Sequence, residues 1–270
     1  IMRTQDAVWE FITGEYIGDD RTEDTQGQIA GELALAGESL FFSTINERMD
    51  SGASYVTQVY GLHAPTGAVI WVSEIGETTT PMIYAQRSGP AVNLSAGANG
   101  LVFVGTAGAD LRAFDLIGET DGDSPSDNDN FEEGDLVWSV AFDQLVRATP
   151  SLHDGRVYAP CADGFLYVLD QESGDEQRSY ETGGAIVSSP ALSDGKVIFG
   201  STDGKVHVLE ESDGTVVWTH DTGVDIRSSS AVYDQRIIIG NEDGQLYAFS
   251  KPEYIPTLDL FVDDEDINII

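Results

Sequence analysis

Residues 188–223 read SSPALSDGKVIFGSTDGKVHVLEESDGTVVWTHDTG, and their reading decides the fold. Four β-patterned runs lie in this stretch: Ser189 to Ser193, Lys196 to Ser201, Lys205 to Glu210 and Thr215 to Asp221. Asp194-Gly195, Asp203-Gly204 and Asp213-Gly214 separate them. Asp-Gly between alternating apolar residues signals a hairpin, because a type I′ turn needs φ > 0 at both central positions. The expected unit is a four-stranded antiparallel meander.

The unit recurs at a period of about 40 residues. Upstream, Thr149 to Leu152, Arg156 to Cys161, Phe165 to Asp170 and Asp175 to Glu181 match it run for run. Downstream, Ser229 to Val232, Arg236 to Asn241 and Gln245 to Ser250 match its first three runs. Four strands per repeat at this period predict an all-β fold, a single β-propeller of four-stranded antiparallel blades.

Earlier in the chain the pattern loosens. The blade from Ile29 to Ile75 draws its middle strands from Ala34 to Thr44 and from Thr57 to Ala64. The next, Ala91 to Phe142, carries an acidic insertion from Glu119 to Asp135. Blades over 148–182, 188–222 and 228–250 follow, making five, with six as the alternative. The last lacks a fourth run, and Asp6 to Gly14 (DAVWEFITG) matches Thr215 to Gly223 (TVVWTHDTG). That match predicts ring closure, the N-terminal strand becoming the outer strand of the last blade. The rival is that Trp9 belongs to an earlier blade of a longer parent chain. Residues 251–270 read as an acidic strap or a tether.

The formal net charge is −34, from 47 acidic and 13 basic residues among 270. The acids are spread through every blade, and the 41% hydrophobic share still supplies a core. Such self-repulsion opposes a compact state at ordinary ionic strength, and a Debye length of roughly 3 Å in molar salt screens it. The composition is read as adaptation to high salt, in a halophilic archaeon or something living on one. An acidic surface built for a basic partner is the rival, and it predicts one acidic face. With no basic patch, nucleic acid is not an expected partner. No apolar run reaches the ~20 residues that span a bilayer. The start, Ile1-Met2-Arg3-Thr4, does not read as a signal peptide. One cysteine, Cys161, makes no internal disulfide.

Asp163-Gly164-Phe165-Leu166-Tyr167-Val168-Leu169-Asp170, followed by Ser173-Gly174, resembles the pyrroloquinoline-quinone-like repeat, as do the glycine-ended strands and outer-strand tryptophans. The resemblance implies a propeller whose Trp71, Trp138 and Trp218 dock between adjacent blades, with Trp9 joining them at closure. Arg178 stands where Trp218 stands one blade later, so that blade is expected to dock differently, with Tyr180 as substitute. The family includes quinoprotein dehydrogenases, outer-membrane assembly lipoproteins and cofactor-free binding scaffolds. Its dehydrogenases imply eight blades, a calcium site and a vicinal disulfide, which five blades and one cysteine do not provide.

Little else carries chemistry. His63, His153, His207 and His220 sit on different repeats without paired spacing, and His207 occupies the slot of Tyr167 and Tyr247. The loop Asp121 to Asp129 hints at calcium, but Pro125 and Ser126 break the alternate-ligand spacing. No Ser/His/Asp or Cys/His set assembles from neighbouring runs. No catalytic residue, metal or cofactor is expected.

The enlarged links Glu15 to Gln28, Ile45 to Tyr55 and Gly76 to Gly89 fall on one face of the ring. They bring Tyr16, Arg48, Met49, Tyr55, Met82, Tyr84 and Arg87 to one rim, residue types enriched at interfaces. The expected role is a non-enzymatic scaffold binding a protein or a surface glycan. It is placed outside the cell, on a cell or virion surface or in a larger, possibly viral, archaeal assembly, with the cytoplasm as the alternative. The rival function is a lyase or hydrolase acting over the axial funnel.

Overall fold

A computed structural model describes residues 28–48, 54–78, 88–96, 100–106, 108–115 and 136–250. They form strands and turns, with no helix among them. The first sheet holds β1 (Gln28–Ala36), β2 (Ser39–Arg48), β3 (Ser54–His63) and β4 (Ala68–Thr78). The second holds β5 (Ala91–Asn93), β6 (Leu101–Gly105), β7 (Asp110–Asp115) and β8 (Leu136–Ala141). The third holds β9 (Ser151–His153), β10 (Arg156–Pro160), β11 (Phe165–Asp170) and β12 (Glu176–Glu181). The fourth holds β13 (Ala191–Ser193), β14 (Lys196–Gly200), β15 (Lys205–Glu210) and β16 (Val216–Asp221). The fifth has three described strands, β17 (Ala231–Tyr233), β18 (Arg236–Gly240) and β19 (Leu246–Ser250).

Each sheet is an antiparallel meander in chain order. The first strands stand side by side, β1 by β5, β5 by β9, β9 by β13 and β13 by β17. Later strands therefore lie progressively outward. The core occupies the seams between sheets. Phe41 and Val59 meet Val102, Val104 and Phe114 in the first seam. Phe103, Leu111 and Trp138 meet Val157, Ala159 and Leu169 in the second. Tyr158, Leu166 and Val168 meet Val197, Phe199 and Leu209 in the third, and Val206 meets Ile239 in the fourth.

The Asp-Gly turns are of two kinds. Asp194 and Gly195 both have positive φ (50° and 68°), the type I′ geometry expected of them. At the other two, Gly204 and Gly214 alone are left-handed, at 82° and 78°. There the aspartate instead accepts a backbone hydrogen bond two residues on, Lys205 N–H to Asp203 Oδ1 and Thr215 N–H to Asp213 Oδ1, both 2.9 Å. The glycine amide closes these turns, Gly204 N–H to the Ser201 carbonyl at 3.1 Å and Gly214 N–H to the Glu210 carbonyl at 2.8 Å, and the aspartate side chain pins the residue that follows. Both kinds carry the same dipeptide.

The first sheet corrects the expected boundaries. Ala34 to Thr44 is not one strand, because Gly37 (φ +60°) turns the chain between β1 and β2. The Ile45–Tyr55 link is mostly hairpin, with pairing that continues from Ser39↔His63 out to Arg48↔Ser54. The N-terminal closing strand, the loop over 119–135 and the tail over 251–270 lie outside the described residues.

Candidate functional site

Buried polar groups ride on the repeat. In the third sheet, the aspartate that caps the turn into β11 also accepts from the residue four positions on: Tyr167 Oη donates to Asp163 Oδ2 at 2.9 Å. In the fourth sheet that slot holds His207, only 4% exposed, with Nε2 at 3.1 Å from Asp203 Oδ2 and Nδ1 at 3.1 Å from Tyr180 Oη. Phe199 stacks on the imidazole at 5.3 Å. In the second sheet Arg112 takes the slot and pairs with Asp110 at 2.8 Å.

Burial lowers the His207 pKa, and the Asp203 carboxylate opposes that effect. Burial also works to raise Asp203, yet the Lys205 and Gly183 N–H groups and His207 hold its pKa below the ordinary value. Tyr180–His207–Asp203 is thus a proton-capable chain within a seam, its imidazole and carboxylate almost fully buried. It ties the outer strand of the third sheet to the fourth.

A second tie was not foreseen. The residues that follow β11 and β15 each reach back to the end of the preceding sheet's first strand. Gln171 accepts from Asn93 Nδ2 at 2.6 Å, and Glu211 holds His153 Nδ1 at 2.5 Å and Tyr158 Oη at 3.1 Å. Burial, with Glu211 adding to it, pushes the Tyr158 phenol up to about 12. The sequence signal is there, since Gln171 and Glu211 each follow a third strand directly, but their partners Asn93, His153 and Tyr158 lie a sheet away.

Trp138 lies 8% exposed on the Gly174 turn of the next sheet, with Nε1–H donating to the Gln171 carbonyl at 2.9 Å. Gly174 is left-handed (φ +75°), and a Cβ there would stand 2.8 Å from Trp138 Cδ2. Arg178 docks the following seam by another route, Nη1 donating to the Ser212 carbonyl at 2.7 Å. Its aromatic neighbour Tyr180 meets Phe199 edge-on at 6.1 Å. Cys161 is buried, and burial pushes its thiol up to about 12, so it is a poor nucleophile.

At the last seam the packing opens. Trp218 touches Phe249 edge-on at 4.9 Å but stays 36% exposed. A groove of about 610 Å³ runs here between Ile198, Val208, Val217 and Trp218 on one side and Ile237 and Phe249 on the other. The corresponding cavity one seam earlier holds about 60 Å³, because the turn through Glu211, Asp213 and Gly214 closes it. Val216, Val217, Tyr233 (74%) and Leu246 (76%) add exposed apolar surface nearby. The repeat hides this departure: after Ser250 the chain reads Lys-Pro-Glu-Tyr, with no glycine for a tryptophan to dock on.

Of the rim residues, Arg48 ends β2 and Tyr55 lies in β3, paired with Glu47; their side chains lie outside the described ones. Tyr16, Met49, Met82, Tyr84 and Arg87 lie outside the described residues, as does Trp9. Trp71 pairs with Gly61 in β4, its side chain also undescribed. Among the described residues no three His, Cys, Asp or Glu side chains gather as a metal site. No described helix is long and apolar enough to cross a membrane.

Known proteins bear on this geometry. The family model described as outer membrane protein assembly factor BamB matches residues 129–185 and 178–253. BamB from Moraxella catarrhalis is similar in structure, with a TM-score of 0.56 at 20% identity over 82% of this chain and 57% of that one. The fold is that of a β-propeller. The computationally designed Ika8 protein matches at 0.55 and 16% identity, over 83% of this chain and 71% of that one. Saccharomyces cerevisiae Sqt1 matches at 0.51 and 10%, over 79% and 69%. The chain thus spans 57% of the length of the BamB chain. Among curated proteins none matches.

Proposed function

We propose that the chain is a non-enzymatic propeller scaffold that holds a protein partner in a high-salt setting, outside the cell or within a larger assembly. The observation that carries this reading is the open apolar groove at the last seam, about 610 Å³ beside a half-docked Trp218. Exposed apolar patches of this kind mark interaction sites. The buried titratable clusters described above serve seam ties, so the described surface offers contact area rather than chemistry. The family description, an assembly factor of outer membrane proteins, likewise names a protein that works on proteins. The rim carrying Tyr55 and Tyr84 is proposed as a second contact face. Residues 6–14 are proposed to lie along β19, the outermost described strand of the fifth sheet, and to close the ring.

The test is affinity capture in molar KCl from a halophile extract with wild type, Val217→Asp, and Tyr55→Ala with Tyr84→Ala. A protein retained by wild type and lost from either variant supports the scaffold and assigns its face. Overturning outcomes are retention of nothing, capture indifferent to both variants, or capture abolished by glycosidase treatment of the extract.

A further inference from the structure

One backbone hydrogen bond recurs where the third, fourth and fifth sheets are entered. Ala162 N–H donates to the Leu145 carbonyl, Thr202 N–H to Ala185 and Glu242 N–H to Asp225, at 3.0, 2.9 and 3.0 Å. These bonds fix which residues correspond. Two positions after the acceptor stand Arg147, Val187 and Arg227. Arg227 pairs with two carboxylates: Nη2 donates to Asp225 Oδ2 at 3.1 Å, and Nε meets Glu242 Oε1 at 2.7 Å. At the corresponding positions around Arg147, both carboxylates are replaced, Asp225 by Leu145 and Glu242 by Ala162. The cation is kept and its two counter-ions are gone.

The Arg147 guanidinium makes no hydrogen bond or ion pair among the described residues, and its Nε is enclosed without a partner. Leu145, Val146 and Ala148 are buried around its base. Nε is its only nitrogen that is both enclosed and unpaired, so the Nη end is the part a ligand reaches. An enclosed Nε–H with no partner costs free energy in a fold. That cost stands out in a chain with 13 basic residues against 47 acidic ones. The planar fork matches a carboxylate, and in the fifth sheet the same position takes carboxylates.

We propose that Arg147 anchors a carboxylate-binding site at the entry to the third sheet, filled by an acidic side chain of the protein partner. The site lies beside the strand entries: the Thr149 hydroxyl, two residues on, accepts from Gly89 N–H at 3.0 Å. The occupant rests on the scaffold reading, but the site itself is tested without any partner.

Acetate stands in for the acidic side chain, with acetamide as its neutral isostere and sulfate as the free-anion arm. Each is titrated at constant potassium concentration while the arginine Nε–Hε resonances are followed by NMR. Acetate is expected to move the Arg147 resonance saturably, acetamide not at all, and the Arg227 resonance is expected to stay. Ala162→Glu rebuilds the internal partner seen at Glu242 and is expected to abolish the acetate response while the fold persists. Arg147→Gln removes it as well, and Ala162→Glu keeps the test decisive should that variant misfold. Linear shifts equal at Arg147 and Arg227, saturation by sulfate but not acetate, or an undiminished response in Ala162→Glu would each overturn the assignment.

Discussion

Replacing Trp138 by alanine is expected to cost about 3–5 kcal/mol, the range for removing a buried aromatic from a core. Three contacts go at once: the ring seated on Gly174, the tilted packing on Phe103 at 5.7 Å, and the Nε1–H bond to the Gln171 carbonyl. Trp138→Phe isolates the last, leaving a buried carbonyl unpaired at about 1–3 kcal/mol. Trp218→Ala serves as the internal control, because its ring is 36% exposed and its described aromatic partners are His220 and Phe249. Its expected cost is about 1–2 kcal/mol. At roughly 2–4 °C per kcal/mol for a domain of this size, the two alanine variants separate by several degrees. A double-mutant cycle sharpens the point. Gly174→Ala alone suffers both a left-handed alanine and a Cβ 2.8 Å from the indole. In the Trp138→Ala background only the backbone cost of about 1–2 kcal/mol remains. Urea unfolding in molar KCl reads all five variants, including the double one. Equal losses at the two tryptophans, or strict additivity with Gly174→Ala, would refute the seam account.

Two further outcomes follow from the buried groups. His207 has its pKa lowered by burial, against the pull of Asp203, so the unfolded chain takes up a proton as pH falls through about 6.5 while the folded chain lags. The His207 contribution is then full above that pH and is lost below it. His207→Tyr, which copies the Tyr167–Asp163 pair, should flatten that slope in urea titrations, and an unchanged slope would move the pH dependence elsewhere. Cys161, buried with its thiol pushed up to about 12, should resist iodoacetamide in the folded protein and react once urea unfolds it; rapid labelling of the native chain contradicts its burial.

The repeat was legible because Asp-Gly turns and alternating apolar runs are local signals, and residues 148–250 carry them in every unit. The first sheet was less so. Its strands run to ten and eleven residues, and the turn that splits them, Gly37-Glu38, lacks the Asp-Gly signature. His207 was placed correctly in the repeat slot of Tyr167, but its partners Tyr180 and Asp203 come from two sheets. Such a partnership is set by how neighbouring repeats stack, and no single repeat displays it. The Asn93–Gln171 and His153–Glu211 ties escaped for the same reason.

The proposed contact sites both lie at positions where one repeat departs from the next. Trp138, Arg178 and Trp218 hold one repeat position, yet they dock on glycine, reach a carbonyl, and stand half-exposed over an open groove in turn. Arg147 and Arg227 share another, and the loss of two carboxylates separates an unpaired guanidinium from a paired one. A constraint of folding would act alike on all copies, because each seam solves the same packing problem. A tryptophan left wet and an arginine left without counter-ions ease no packing problem in their own sheets. Under the proposed scaffold role their cost is recovered when a partner arrives, with an apolar surface at the groove and a carboxylate at Arg147. A partner that fills both would bring aromatic or aliphatic side chains with an acidic residue on a second face, a combination that screening by molar salt leaves intact at short range.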